Sequence, residues 1–329
     1  MSPDTNNWLA AYLYYAEPWE PILTHAVKPF VEETFKDGLA EQFFFIRYWE
    51  RGPHLRLRFK GEEDVLEKML KPRLESFFND YLKRNPSKRI DPESIRGLPK
   101  DQSWLPNNSI QFMPYHPEIK RYGGPIGITI AEKQFHTSSL MVLEILGQNI
   151  GWSYDRALGV ALQLHLGFVF SLRMTLIEIQ QLFSYISDWW LFGGSSSADL
   201  QTKEYKERKE LLIDLFEKKY NDQKISLLTH IQKLWGAFGD GVEFEQGWLN
   251  DWLSHMATIG EELRIALREN KLVLLMPYSG DSKTSASEEN RQLWPILESY
   301  IHMTNNRLGI LNRDEGYLGY LINKCVGHL

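Results

Sequence analysis

Basic and apolar side chains alternate in one short stretch near the start of the chain, residues 54–60 (HLRLRFK). The apolar set is Leu55, Leu57 and Phe59, and the basic set is His54, Arg56, Arg58 and Lys60. A period of two residues is typical of a β-strand, whose side chains point alternately to its two faces. We therefore expect the apolar side chains to face a core and the imidazole and three cations to share the other face.

The basic face of this strand has two interpretations. Arg56 and Arg58 would project about 7 Å apart, and each guanidinium offers a planar fork of donors that matches a carboxylate. This spacing favours an anion-binding site. The alternative is a solvated strand whose cations protect a sheet edge from pairing with other chains.

The surrounding elements of the N-terminal portion, residues 1–127, predict an antiparallel sheet with helices. Phe43–Trp49 is an aromatic-rich run that forms a hairpin with the basic strand through the turn residues Gly52 and Pro53. Two further strands are expected at Trp8–Tyr15 and Ser109–Tyr115. Apolar spacings of three and four predict helices at Trp19–Lys36 and Glu62–Lys83, with Pro72 as a kink or break in the second.

Residues 128–329 are predicted to be largely helical, so the fold class is α+β in a single domain spanning residues 1–329. The predicted helical segments are Ala131–Gly147, Ser153–Trp190, Tyr205–Phe238, Glu245–Asn270 and Leu293–Leu311, and Gly316–Val326 closes the chain. A flexible loop is expected at Gly193–Ala198, a strand or helix end at Leu272–Tyr278, and a mobile polar segment at Tyr278–Asn290. Gly123 and Gly124 predict either a tight turn or a ligand-facing loop.

Composition and missing motifs narrow the function. The chain is 43% hydrophobic and 24% charged, with a net charge of −6, which predicts a packed core and argues against general nucleic-acid binding. Cys325 is the one cysteine, so an internal disulfide is excluded and a reducing cytoplasm is expected. We find neither a signal peptide nor a membrane span, and no nucleotide, metal-ligand or nucleophile-elbow motif, so no cofactor or metal is expected.

Three segments in order carry a family resemblance: FFFIRYWERGPHLRLRF (residues 43–59), PEIKRYGG (117–124) and SYIHMTNNRLGI (299–310). Together they resemble the C-terminal elimination domain of lantibiotic dehydratases, which also occurs as free-standing thiopeptide-type bacteriocin biosynthesis proteins. The resemblance implies removal of glutamate from glutamylated Ser or Thr of a precursor peptide, leaving dehydroalanine or dehydrobutyrine. It also implies two partners, the precursor peptide (leader and glutamylated core) and a separate tRNA-dependent glutamylation protein.

The resemblance assigns catalytic roles to Arg56, Arg121 and His302. The arginines would bind glutamate and stabilise the enolate, and the imidazole would carry the proton as base or acid. Four further residues are expected at the substrate: Arg58, Arg47, His54 and Tyr122. Arg47 is expected to support Arg56 from a neighbouring strand.

The same family context marks one departure and two structural residues. Where the family often has an Asp-Ser pair after Glu-x-x-Phe, residues 132–139 read EKQFHTSS, and Ser138 replaces the acid. Asn306 and Arg307 are interpreted as structural residues at a helix end.

Other functions stay open on the sequence alone. Within the family, the alternative is a pyridine synthase that joins two dehydroalanines by a formal [4+2] cycloaddition. From a different class, the alternative is a non-catalytic scaffold that binds the leader peptide or the glutamylating partner. No direct nucleic-acid contact is expected, and the state of association, including a homodimer, is open.

Overall fold

The computed structural model describes residues 7–93, 99, 102–148, 151–192, 202–274 and 288–329. The chain divides into two compact units. The first comprises Met1–Ser153, Asn270–Val273 and Asn306–Gly309, and the second comprises Tyr154–Glu269, Leu274–Asn305 and Ile310–Leu329.

A four-stranded antiparallel sheet forms the centre of the first unit. Its strands are β1 (Trp8–Tyr14), β2 (Gln42–Tyr48), β3 (His54–Lys60) and β4 (Ser109–Phe112), in the order β2-β3-β1-β4. The predicted hairpin is confirmed as β2 and β3, and the expected α+β class with it. Because β3 pairs with a strand on each side, it is an interior strand, and the alternative of a solvated edge strand is wrong.

Two interrupted helices connect the strands of the first unit. The first runs through α1 (Glu20–Ile22), a π-helical segment (Leu23–Val27) and α2 (Lys28–Lys36); the second runs through α3 (Glu63–Val65), a π-helical segment (Leu66–Leu70) and α4 (Lys71–Arg84). Pro29 and Pro72 are each the second residue after a π-helical segment. The wider helical turn there accommodates a residue without an N–H. The second helix is therefore distorted before Pro72 and continues past it, so Pro72 does not end the helix.

The apolar face of the sheet packs on these helices as the alternation predicts. Leu55, Leu57 and Phe59 are fully buried, and the Phe59 ring lies 6.0 Å from that of Phe30 on α2. Burying a large apolar side chain contributes about 1.5 to 3 kcal/mol, so this face fixes the register of β3.

Helix α5 (Gly124–Gln148) covers the outer edge of β2. Ser139 on α5 accepts a hydrogen bond from the Phe45 N–H at 3.1 Å, and Asn306 accepts from the Arg47 N–H at 3.0 Å. These side chains replace a neighbouring strand, which explains why Asn306 is structural, as expected. The boundary drawn between residues 127 and 128 falls inside α5.

The second unit is helical. Its helices are α6 (Tyr154–Ser171), α7 (Leu176–Phe192), α8 (Lys203–Gly239), α9 (Gly247–Arg268), α10 (Glu288–Leu308, as far as Asn305) and α11 (Asn312–Val326). None of the helices in the described ranges is long and apolar enough to cross a membrane.

The segment Ser153–Trp190 was predicted as one helix and forms two. Arg173 has a φ of 52°, a left-handed conformation that ends α6. Thr175 and Glu178 then form a capping box, since the Thr175 N–H donates to the Glu178 carboxylate at 2.9 Å and the Glu178 N–H to the Thr175 hydroxyl at 3.4 Å. The Thr-x-x-Glu spacing was a readable signal in the sequence.

Three predicted loop or strand segments fall wholly or partly outside the described residues. All of Gly193–Ala198 lies outside them. So do residues 275–278 of the predicted strand or helix end and residues 278–287 of the predicted mobile segment. Residues 272–274 belong to neither a helix nor a strand, and the Val273 N–H donates to the Gly123 carbonyl at 2.8 Å.

Candidate functional site

The face of the sheet opposite the apolar core carries a row of aromatic and basic side chains, the basic face. The register places His54 beside Tyr14 and Tyr48, and Arg56 beside Tyr12 and Ile46. Side chains directly opposite in an antiparallel pair point to the same side of the sheet. Tyrosine rings therefore surround the cations of β3.

Arg56 is held by its neighbours on three sides. Its guanidinium lies 3.5 Å from the Tyr48 ring centroid and 4.7 Å from that of Tyr12. Its Nε donates to His54 Nε2 at 3.0 Å, and its Nη2 lies 3.4 Å from the exposed Glu50 carboxylate. Cation–π contacts and one directed hydrogen bond fix the plane of this guanidinium.

His54 positions Arg56. Its ring is fully buried, and its Nδ1 lies 2.8 Å from the Gly52 carbonyl. Burial lowers the pKa of His54 to about 4, the Gly52 carbonyl opposes that shift, and Arg56 adds to it. Arginine only donates, so His54 Nε2 accepts and Nδ1 carries the proton. His54 is thus a neutral support behind Arg56.

Arg58 is a buried cation without a hydrogen-bonded partner among the described residues. Its side chain is 8% exposed and its Nε makes no hydrogen bond there. Its guanidinium lies 4.4 Å from the Tyr115 ring centroid and 5.2 Å from that of Phe44. A buried charge is costly unless paired, so this position suits a bound anion.

One carboxyl group, Glu132 on α5, lies near Arg58. It accepts a hydrogen bond from the Tyr115 hydroxyl at 3.1 Å and lies 3.9 Å from Lys60 Nζ. Burial raises its pKa, against the opposing effects of Lys60, the Tyr115 hydrogen bond and Arg58. Because burial favours the neutral form of this group, Glu132 compensates Arg58 only weakly. The sequence analysis gave Glu132 no role, because nothing in its spacing points to Arg58.

Arg307 was expected to be structural, and it adds another buried guanidinium to the first unit, in addition to those of Arg58 and Arg47. It is fully buried, its Nε donates to Ser139 Oγ at 2.7 Å, and it lies 5.2 Å from the Phe135 ring centroid. Burial lowers the pKa of Arg307 to about 9, Tyr122 opposes that shift, and Arg58 adds to it. The positive charge around Arg58 is therefore larger than β3 alone supplies.

The segment around Arg121 lies at the start of α5. Arg121 is 39% exposed, and its Nη1 lies 3.5 Å from Glu118. Tyr122 is buried and packs edge-on against Phe135 at 5.1 Å. Gly124 has a φ of 90°, and a Cβ there would lie 3.1 Å from Val273, so backbone geometry accounts for a glycine at this turn.

Arg47 does not lie beside Arg56. It pairs with Leu55 in the β2–β3 register and therefore points to the opposite face of the sheet. Its Nη1 lies 2.7 Å from Glu20, and its Nε donates to the Arg307 carbonyl at 3.0 Å. The expected direct support of Arg56 is wrong, and these contacts are structural.

His302 belongs to the second unit. Its Nδ1 lies 2.8 Å from the buried carboxylate of Glu315, and its ring stacks on Trp190 with centroids 4.4 Å apart. The sequence analysis missed Glu315, which follows 13 residues later on α11. Such an imidazole, anchored at one nitrogen and packed on one face, is suited to moving a proton in a fixed direction.

Ser138, a residue in doubt from the sequence, can also be placed. Ser138, which replaces the family acid, is buried and donates to the Gln134 carbonyl of its own helix at 2.8 Å. Within the described ranges, no group of three or more His, Cys, Asp or Glu side chains could hold a metal ion.

Comparison with known proteins gives a family and a fold. The family described as lantibiotic biosynthesis dehydratase C-term matches residues 8–326. Comparison with curated proteins gives no match.

Three solved structures are similar. A pyridine synthase, TbtD, from thiomuracin biosynthesis has 18% identity and a TM-score of 0.74, over 98% of both chains. TsrL has 17% identity and a TM-score of 0.62, over 98% of this chain and 94% of that one. The tRNA-dependent lantibiotic dehydratase MibB from Microbispora sp. 107891 has 19% identity and a TM-score of 0.56, over 98% of this chain and 28% of that one.

Proposed function

The chain belongs to the lantibiotic biosynthesis dehydratase C-terminal family, and on that premise we propose that it is a lyase. Its substrate is a ribosomally made precursor peptide in which a Ser or Thr side chain carries glutamate as an ester. It removes that glutamate and leaves dehydroalanine or dehydrobutyrine. The family itself consists of enzymes that modify such peptides.

The observation that carries this proposal is the buried guanidinium of Arg58. It lies between two aromatic rings with an unpaired Nε, counting the described residues, and Arg56 is two residues away on the same face. Released glutamate carries two carboxylates, and charge-assisted arginine–carboxylate bonds are among the strong hydrogen bonds in proteins. This face is therefore a receptor for the departing acid.

The proposed reaction needs three functions. A base takes the proton from the peptide α-carbon, and the electron pair of that C–H bond forms the Cα=Cβ double bond. The Cβ–O bond breaks, and its electrons leave with the glutamate carboxylate. Arg56 and Arg121 stabilise the enolate oxygen and the leaving group, Arg58 assists, and His302 accepts the proton.

The pyridine synthase reading is the second candidate. It is supported by the similarity to TbtD, which covers 98% of both chains, whereas the similarity to MibB covers 28% of MibB. Joining two dehydroalanines releases no glutamate, so this interpretation provides no departing carboxylate to pair with Arg58. For that reason we rank elimination first.

The partners follow from the proposed substrate. We propose that the glutamylated peptide reaches this chain from a separate tRNA-dependent glutamylation protein in the cytoplasm. The chain spans 28% of the length of MibB, a tRNA-dependent lantibiotic dehydratase.

Mass spectrometry of a glutamylated Ser-containing precursor peptide tests the proposal. The peptide is incubated with wild-type protein, Arg56→Ala and His302→Ala. We expect loss of glutamate and formation of dehydroalanine with the wild type, and a strong loss of conversion with each variant. Full conversion by His302→Ala would remove His302 from the mechanism.

The same assay separates the alternatives. An unchanged ester with wild type contradicts elimination, and a peptide carrying two dehydroalanines is then supplied to detect ring formation. If neither peptide reacts but the precursor binds, the scaffold interpretation is correct.

A further inference from the structure

His302 lies at the end of a buried chain of hydrogen bonds within the second unit. The chain joins His302, Glu315, Asn305 and His165, which come from helices α10, α11 and α6. The inference drawn from it rests on the proposed function, because His302 is the proposed proton acceptor.

The first link fixes one nitrogen of His302. Glu315 is 1% exposed, and its Oε1 lies 2.8 Å from His302 Nδ1. His302 Nε2 has no hydrogen-bond partner within the described part of the chain. Trp190 covers one face of the ring, so rotation of the imidazole is restricted.

The second link fixes Glu315. Asn305 Nδ2 donates to Glu315 Oε2 at 3.0 Å, and Asn305 Oδ1 lies 2.7 Å from His165 Nε2. The opposite orientation of the Asn305 amide would set its oxygen against a carboxylate oxygen, so the described orientation is the satisfied one. Both oxygens of Glu315 therefore have a donor.

The far end of the chain is neutral. His165 is buried, and burial lowers its pKa to about 4, against the opposing hydrogen bond with Asn305. A neutral ring that donates from Nε2 to an amide oxygen carries its proton there. Every hydrogen bond in the chain thus has a fixed direction, from His165 to Asn305, from Asn305 to Glu315, and from His302 to Glu315.

We propose that Glu315 is a positioning residue that keeps the proton of neutral His302 on Nδ1 and leaves Nε2 as the proton acceptor. Asn305 and His165 hold Glu315 in the orientation that this requires. The proposal assigns His302 the role of base, since the α-proton of the peptide moves to the lone pair on Nε2. A carboxylate that orients a histidine base is a recurring arrangement in enzymes.

The ring nitrogens of His302 can be observed directly. Protein labelled with 15N in its nine histidines is examined by long-range 1H–15N correlation at mildly alkaline pH. A His302→Gln variant assigns the signals. We expect His302 protonated on Nδ1 and His165 protonated on Nε2. A neutral His302 protonated on Nε2 overturns the proposal, whether or not the peptide reacts.

A pair of substitutions that exchanges the amide and the carboxylate tests the direction of the hydrogen bonds. Glu315→Gln alone sets the new amide nitrogen against Asn305 Nδ2, and kcat for elimination should fall about 10- to 100-fold with KM unchanged. In the double variant Asn305→Asp/Glu315→Gln, the amide nitrogen of residue 315 donates to the carboxylate of residue 305, so this middle hydrogen bond is reversed while His302 and His165 each still donate to an oxygen. We expect the Nδ1 tautomer of His302 and most of kcat to return.

A matched control lies next to Glu315 on α11. Asp314 accepts a hydrogen bond outside the network, from the Tyr154 hydroxyl at 2.6 Å, and Asp314→Asn should leave the tautomer of His302 and kcat unchanged. A double variant that folds but shows no recovery of tautomer or rate contradicts the proposal.

The tautomer measurement also separates two kinds of failure. If wild-type protein releases no glutamate yet His302 shows the Nδ1 tautomer, the proposed reaction fails and the positioning role of Glu315 stands.

Discussion

The basic face of the first unit differs from the histidine network of the second unit, which is formed by His302, Glu315, Asn305 and His165. The two regions differ in whether a buried charged or titratable group has hydrogen-bond partners. Arg58 is buried with no hydrogen-bonded partner among the described residues, and the nearby carboxyl group, Glu132, has a raised pKa. In the network, by contrast, both oxygens of the buried Glu315 have donors.

The difference indicates what each region contributes. An unpaired buried cation is destabilising by itself, and a bound anion supplies the missing partner. The groups of the network already have hydrogen-bond partners, and they hold His302, the proposed proton carrier, in one orientation. Under the proposed function, the first unit lacks the anion that the substrate would supply, whereas the groups of the network are already paired.

Replacing Arg58 gives the largest expected effect. Arg58→Met keeps most of the volume and removes the charge, so elimination should slow by on the order of 100- to 1,000-fold. The free energy of unfolding should stay the same or rise, because an uncompensated buried charge is removed. Peptide turnover and urea unfolding of the same preparation measure both.

Arg58→Lys is the matched variant, since it keeps the charge and loses the planar fork. It should recover only a small part of the activity. A folded Arg58→Met protein with wild-type turnover would mean that the cation serves neither binding nor catalysis.

Arg47→Met should do the reverse of Arg58→Met, lowering the free energy of unfolding and leaving turnover nearly unchanged. Arg47 is buried against Glu20 and the Arg307 carbonyl on the apolar face of the sheet, so the substitution leaves both acceptors unsatisfied. We expect the free energy of unfolding to fall by about 2 to 4 kcal/mol. Turnover by the folded fraction should be close to wild type. Equal losses of turnover in the folded Arg47 and Arg58 variants would remove the distinction between the two faces.

Parts of this comparison were predictable from sequence, and parts were not. The two-residue period fixed β3 and its core face, because burial of Leu55, Leu57 and Phe59 decides the register. The position of Arg47 was also predictable in principle, since counting through the hairpin pairs it with Leu55. Burial of Arg58 was not predictable, because the covering Tyr115 is 57 residues away and lies beyond a segment without periodicity.

The histidine network was hidden from the sequence for a different reason. Asn305 and Glu315 are separated by a turn at Gly309, and His165 lies about 140 residues earlier on another helix. Such pairs carry no spacing signal. The family resemblance pointed to His302, while its partners emerged only from the packing of α6, α10 and α11.

A buried neutral histidine in each unit predicts acid sensitivity. The pKa values of His54 and His165 are lowered to about 4, so the unfolded chain binds protons first as the pH falls below about 6.5. Each should contribute a loss of about 2 kcal/mol in the free energy of unfolding between pH 7 and pH 5, which grows to about 3 kcal/mol near pH 4.

Glutamine variants of the two histidines measure these contributions. His54→Gln can still donate to Gly52 and accept from Arg56, and its unfolding free energy should depend less on pH. His165→Gln should reduce the pH dependence by a similar amount. An unchanged slope in both variants would show that other groups cause the acid sensitivity.

The smallest expected effect concerns Cys325, the one cysteine of the chain, which lies on α11. It is buried, and burial raises its pKa to about 12, so the thiolate that reacts with iodoacetamide is almost absent at neutral pH. We expect labelling of native protein to be at least about 100-fold slower than labelling in denaturant.

Because Cys325 belongs to the unit that the network organises, Asn305→Ala should increase the labelling rate of Cys325 at neutral pH by loosening that packing. Arg58→Met, which alters only the basic face of the first unit, should leave the rate unchanged. Equal rates in both variants would mean that the network does not contribute to the stability of its own unit.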